Sequence, residues 1–405
     1  MDKPFYELDP DGDIILILRN PNAPFAAWDE RAEDFSEPLP NHSKIGPRAI
    51  SEPSSRGASP EPEDDPLAPV DDDLEAEPAG VRSEFVAHAS FEPNVANSET
   101  FDADHTKRSE IQFRLSSRHL ISASSFFKKA LGGPWREGNS VTSDGCRYIH
   151  TEEWDPDALL VLMQIIHGRN WSVPRSVSLE MLAKIAVLVD YYKCHEAVAM
   201  FSEIWIKALE GQVPAECSRE LILWLVISRV FSRADIFTAM TRTAMRQSRR
   251  PLPTLELPAL ESVVGGRSRN RSYIRGLIRS TEVIDKAREE SVNRIIIALH
   301  DLLERFRNRQ AGCSFECSSI LLGALTIQMH TAAILELRPK PPYLGYSFTV
   351  VIEMVRSFQS PRWVTRDHYG GYVRHSCSIT SLIQPMIEDA EKSMGGLMLG
   401  DFPNT

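Results

Sequence analysis

Four residues in the C-terminal third have the types and spacing to hold a metal ion. Cys313 and Cys317 are separated by three residues, and His375 and Cys377 by one. Three thiols and an imidazole suit a tetrahedral zinc ion. The stretch "AGCSFECSSILLGAL" places Cys313 just before an expected helix and Cys317 on its first turn, so both side chains can face one ion. His-x-Cys suits a turn or short strand, where alternate side chains share a face. Two considerations pull the other way. A free cysteine is often only a small buried apolar residue, and the long gap between the two pairs makes the pattern unspecific. The sequence therefore assigns no metal ligand and no cofactor to the chain. A zinc ion at these residues would stabilise the C-terminal region without implying catalysis.

The other chemistry-bearing features are weaker. Between Arg242 and Arg279 lie nine arginines against Glu256 and Glu261. A tyrosine sits among arginines in "GGRSRNRSYIRGLIR", a composition that can contact phosphate or RNA. Basic patches are common, however, and the plainer reading is a solvated loop and helix face. No Gly-rich phosphate loop followed by Lys and Ser/Thr is present, and no nucleophile elbow. His119, His150, His167, His195, His300 and His330 stand singly in helical or strand contexts, and each reads as a packed or surface residue rather than a general base. These features point away from an enzyme.

Composition sets the frame for these residues. Apolar residues make up 42% and charged residues 25% of the 405 residues, as in an ordinary globular protein. No run of about 18 apolar residues is long enough to span a bilayer. The start, "MDKPFYELDPDGD", has neither the positive region nor the apolar core of a secretory signal. Six scattered cysteines do not form a disulfide framework, so reduced thiols in the cytoplasm or nucleus are expected. The net charge of −11 is concentrated in one place. Residues 21–110 hold 21 Asp/Glu and 7 Lys/Arg, a net of −14, which leaves −11 + 14 = +3 for the rest.

The elements that would position these residues follow from local pattern. Asp13–Leu18, "DIILIL", predicts a buried strand. The Pro-, Ser- and acid-rich stretch that follows has too few large apolar groups to offset the entropy of ordering it, and predicts a disordered insert. Ile111–Leu115 resumes as a strand. Ser116–Ser117 then caps one helix running to Leu131, which Gly132, Gly133 and Pro134 stop. Arg147–His150 is a further short strand. Asp155 as N-cap, Pro156 in the first turn and Gly168 beyond the end bracket a helix that is apolar almost all round and hence buried. Helices are then expected after Ser178, over Ala197–Leu209, Glu220–Phe231, Arg233–Gln247, Thr281–Arg309, Cys317–Ile334 and Ser347–Phe358. A last one lies near Ser378–Met394, kinked by Pro385 or beginning after it.

The segments "GDIILIL", "FRLSSRHLISASSFFKKALGGPWREG", "WDPDALLVLMQIIHGR" and "VSLEMLAKIAVLVDYYKC", in this order, resemble a BTB/POZ domain of the kind common in filamentous fungi. The tail, with "CSFECSSILLGAL", "PPYLGYSF" and "GGLMLGDF", is similar to the helical region that accompanies that type. The resemblance covers most of the chain outside the insert. It implies an α+β BTB/POZ domain, a small sheet with a helical cluster, followed by an all-α C-terminal domain. The expected division is 8–20 for the first strand, 21–108 for the insert, 109–210 for the rest of the BTB/POZ domain, 211–280 for a helical region with a basic linker, and 281–400 for the C-terminal domain.

Function follows from the same resemblance: a non-catalytic protein–protein interaction module, scaffold or adaptor, whose partners would be a second copy of the chain, a cullin or another protein. Two features depart from the dimeric transcription-factor type. Ser116 and Ser117 stand where a basic pair is usual, and the insert replaces a tight hairpin. Both weaken the usual swapped homodimer, and only seven residues precede Leu8, too few for an extra N-terminal helix. Adaptors of cullin-type ubiquitin ligases carry an apolar residue, any residue, then Glu after this helix, and Trp135-Arg136-Glu137 has that form. The resemblance thus offers Trp135 and Glu137 as partner-binding residues, against the plainer reading that Trp135 packs over its own domain. A nuclear regulator touching nucleic acid through Arg242–Arg279 is the third reading.

Overall fold

A computed structural model of the chain describes residues 4–28, 110–132, 145–253, 272–336, 338–366 and 371–402. Strands β1 (Phe5–Glu7), β2 (Ile14–Arg19), β3 (Glu110–Leu115) and β4 (Arg147–Glu152) form a mixed sheet in the order β1-β3-β2-β4. β2 and β3 are antiparallel, with Ile14 opposite Leu115 and Arg19 opposite Glu110. An ion pair of 3.2 Å between Arg19 and Glu110 closes the far end of this register. β2 also runs parallel to β4, and a parallel neighbour needs a crossover. Helices α1 (Ser117–Ala123) and α2 (Ser125–Gly132) lie in that connection.

The sequence of β2 explains its central place. Ile14, Leu16 and Leu18 enter the main core, while Ile15 and Ile17 pack with Cys146 and Tyr148 on the other side. A strand covered on both faces reads as a continuous apolar run, not an alternation. β3 is covered on one face only. Ile111, Phe113 and Leu115 are buried and the residues between them are half-exposed.

Five further helices follow the sheet: α3 (Pro156–Ile166), α4 (Leu179–Tyr192), α5 (His195–Leu209), α6 (Arg219–Val230) and α7 (Ala234–Gln247). Local chemistry sets the starts of the first two. Asp155 accepts from the backbone N–H groups of Asp157 and Ala158 at 3.0 and 2.9 Å, and Ser178 accepts from Met181 N–H at 3.1 Å. Gly168 follows α3 at φ +68°, a conformation that costs glycine little. Every residue of α6 from Leu221 to Val230 is buried. It packs between α4 and α7, and through it one hydrophobic core continues from Leu8 to Phe402. Beyond it lie α8 (Ser272–Arg307), α9 (Phe315–Thr331), α10 (Phe348–Arg356) and α11 (Ile379–Lys392). α11 begins ahead of Pro385, which lies inside it.

The structure corrects three sequence expectations and adds one strand that none of them named. The single helix from Ser116 to Leu131 is two helices, because Ser124 is extended between them. Its hydroxyl donates to the Tyr192 carbonyl and accepts from Phe127 N–H, so it caps α2 instead of continuing α1. The insert does not begin at residue 21. Ala26 is buried, and Arg219 donates to the carbonyls of Ala26 and Phe25 at 2.8 and 3.3 Å. Arg219 is held in turn by Glu180 at 2.9 Å, so residues 21–28 are fastened to α4 and α6. The few residues ahead of Leu8 form β1, which adds to the outer edge of β3 in parallel. The C-terminal region is mostly helical, not all-α. It contains a hairpin, β5 (Val364–Arg366) and β6 (Tyr372–Arg374).

His167 joins the end of α3 to the start of α1. Its Nδ1 donates to the Met163 carbonyl at 2.8 Å, and its Nε2 accepts from Ser116 N–H at 2.9 Å. Burial holds the imidazole below its ordinary pKa of 6.5. A proton on Nε2 would also face the Ser116 donor. The stability this residue supplies is therefore full above pH 6.5 and lost as the pH falls through the depressed folded value. We expect the stability difference between the natural chain and His167→Leu to shrink when urea unfolding is moved from neutral pH to pH about 5. A difference independent of pH would sink this assignment.

Candidate metal centre

The two pairs singled out by spacing meet in space. One ligand atom from each of Cys313, Cys317, His375 and Cys377 lies within 4.8 Å of all the others. Among the described residues this is the group of His, Cys and acidic side chains placed to share a cation.

The first pair is positioned by the start of α9. Ser314 is its N-cap and accepts from Cys317 N–H at 3.2 Å. Ser318 Oγ reaches back to the carbonyls of Ala311 and Ser314, at 2.6 and 3.0 Å, and fixes the loop that carries Cys313. Gly312 lets this loop close. It sits at φ +89°, and a Cβ there would lie 2.7 Å from Ser318 Oγ and 3.2 Å from Cys317 Sγ. Cys317 is buried on the first turn while Cys313 is exposed.

The second pair comes from the foot of the β5–β6 hairpin. Val364 pairs with Arg374, so Trp363 and His375 emerge together from its open end. His375 N–H donates to the Trp363 carbonyl at 3.1 Å, and the two rings stack at 4.1 Å. His375 Nε2 lies 2.9 Å from Cys313 Sγ. Two residues on, Cys377 is half-buried against the core, and Ser378 caps α11. Burial, with Cys317 and Cys313 beside it, pushes the Cys377 thiol up to about 11.

The geometry is close to that of a small tetrahedral ion. Zinc–sulfur and zinc–nitrogen bonds of about 2.3 and 2.0 Å imply edges of about 3.8 Å between sulfurs and about 3.5 Å between sulfur and nitrogen. With all four ligand atoms within 4.8 Å of one another, no pair exceeds its edge by more than about 1.3 Å, and the imidazole need only back slightly away from Cys313. One adjustment has a cost. His375 Nδ1 accepts from Cys377 N–H at 3.2 Å, which places the ring proton on Nε2. A cation on Nε2 moves that proton to Nδ1 and forfeits this bond, worth about 1 kcal/mol net. That is small beside the roughly 10–16 kcal/mol with which structural zinc binds. Four protein donors leave no open position for substrate, so the arrangement can fasten loops but not activate water.

The remaining candidates fare differently. Trp135 and Glu137 lie outside the described residues, as does most of the acidic insert. Of the basic stretch, residues 254–271 lie outside them too. Arg242 donates to the Gly395 carbonyl at 2.9 Å, and Arg246 lies over the Phe348 ring, so these two arginines serve packing within the chain. His300 is bonded to the Ile334 carbonyl at 2.9 Å, and His330 is paired with Glu336 at 3.2 Å. No helix among the described residues is long and apolar enough to cross a membrane. Set against known proteins, the chain has no significant match to any family model, curated protein or solved structure.

Proposed function

We propose that the chain is a non-catalytic protein–protein interaction module of the BTB/POZ type, acting in the cytoplasm or nucleus. One observation carries most of this reading. Strand β2 pairs antiparallel with β3 across the long insert and parallel with β4 across a helix pair, and three helices follow. This succession of strands and helices is what supports the reading. The position of β1 bears on the partner. β1 occupies the edge of its own β3, so these residues are already paired and not free to lend a strand to a second copy. That favours a different protein as partner over a swapped homodimer. The more specific reading, an adaptor delivering a bound protein to a cullin-type ubiquitin ligase, rests on the Trp135-Arg136-Glu137 resemblance alone.

The test is affinity purification of the full-length chain from a filamentous fungal extract, with mass spectrometry of the eluate. The expected result is a small, reproducible set of proteins that survives high-salt washing. A cullin in that set, lost on Trp135→Ala, identifies the adaptor. Retention of nucleic acid that falls steeply with salt, with no specific protein, would overturn the interaction reading in favour of a nucleic-acid contact.

A further inference from the structure

We propose that Cys313, Cys317, His375 and Cys377 bind one zinc ion in a closed Cys3His site that fastens the β5–β6 hairpin to the start of α9. This inference stands apart from the interaction reading and survives its failure.

Three independent features converge on the site. The four ligand atoms lie within 4.8 Å of one another although the pairs are some sixty residues apart in the chain. Chance burial of scattered cysteines does not gather three thiols and an imidazole at one point. Each half is also held in place by its own surroundings. The α9 side is set by Gly312 and the Ser314 and Ser318 hydroxyls, and the hairpin side by the Trp363–His375 stack. Finally, the hairpin needs a fastener. Its strands are three residues each, and an isolated two-stranded hairpin is marginal in water. Both hairpin-side ligands sit just past its foot, where a cross-link holds the strand ends together.

The donor set decides the ion. Thiolates select zinc, copper(I) or iron–sulfur clusters, and a single imidazole with three thiolates in a four-coordinate cluster is a structural zinc set. Binding releases the three thiol protons to solvent, while the imidazole binds through a lone pair and keeps one ring proton. Affinity therefore falls as the pH is lowered. The exposed Cys313 leaves one side of the cluster open for the ion to enter.

The experiment uses the full-length chain, purified under reducing conditions with zinc supplied and then dialysed. Elemental analysis is expected to find one zinc per chain. Cys313→Ser, on the exposed ligand, lowers that content, and Cys146→Ser, remote from the site, leaves it unchanged. Cobalt(II) exchanged into the natural chain should give the intense visible bands of a tetrahedral thiolate site. Amide exchange supplies a readout that does not depend on any variant folding. Removing the ion with a chelator should release protection over residues 311–318, 363–366 and 371–377 and leave β2 and β3 protected. A folded natural chain that retains no zinc, or that retains zinc equally with Cys313→Ser and shows unchanged exchange over 363–366 and 371–377 on chelation, overturns the proposal.

Discussion

Arg288→Met lowers the stability of the chain by about 3–5 kcal/mol, the loss that follows when one partner of a buried charged network is removed. Arg288 lies on α8 and is fully buried. Its guanidinium donates to the carbonyls of Pro342, Tyr346 and Tyr343 at 2.9, 3.3 and 3.5 Å, and so pins the segment leading into α10. Methionine fills much of the same volume, so the effect isolates the lost donors rather than a cavity. The carbonyls left behind have desolvation to pay for and no donor in return. Asp285, one turn earlier, accepts from Leu252 N–H through both oxygens at 3.1 and 3.2 Å. Burial pushes its carboxyl up to about 6, and Arg288 pulls in the opposite direction. Removing the arginine lets that value climb. A carboxyl with a raised folded pKa stabilises the protonated native state at low pH and loses that contribution as the pH rises through the folded value. The loss in Arg288→Met is thus expected to be larger at pH about 7.5 than at pH about 5. Urea unfolding at the two pH values checks both parts. A variant as stable as the natural chain, or a loss that grows on acidification, would show the network to be misassigned.

Phe127→Ala costs a similar amount, about 3–5 kcal/mol, for a different reason. Phe127 on α2 is fully buried and stacks on Tyr192 of α4 with ring centroids 4.9 Å apart. Phe126, Tyr191 and Trp154 complete the cluster. Two of its polar atoms meet at Thr151 on β4, which accepts from Trp154 Nε1 at 2.7 Å and bonds the Tyr192 hydroxyl at 3.1 Å. The rings around the deleted phenyl are therefore held from the other side and cannot collapse into the space. A cavity that cannot close adds its own term to the lost burial. Phe127→Leu, which keeps most of the volume, is expected to lose under about 1.5 kcal/mol. Thermal and urea unfolding distinguish the two substitutions. Equal losses in both would mean that the ring geometry, not the filled volume, holds α2 in place.

How much of this was legible in the sequence depended on distance along the chain. The helix between Asp155 and Gly168 was readable because its start and stop are made by neighbours within four residues, and its burial by its own apolar surface. β2 was readable for a related reason: a strand covered on both faces must be apolar throughout. The break at Ser124 was not, because the carbonyl that holds its hydroxyl belongs to Tyr192, 68 residues on. β1 was equally hidden. Three residues carry no period, and their strand exists only because β3 offers an unpaired edge. The same holds for β5 and β6, which pair with each other and are too short to show a pattern.

The candidate metal centre divides along the same line. By itself the sequence determined the local half of it: Cys313 and Cys317 must flank the start of α9, because Ser314 caps a helix whose first turn follows from its own residues. It also determined that His375 and Cys377 lie two apart and can point the same way. That the two pairs meet was decided only by the tertiary structure. Closing a loop of some sixty residues is an entropic cost that no local pattern records. It is met by the packing of α9, α11 and the hairpin foot onto one core, contacts that nothing within either pair encodes.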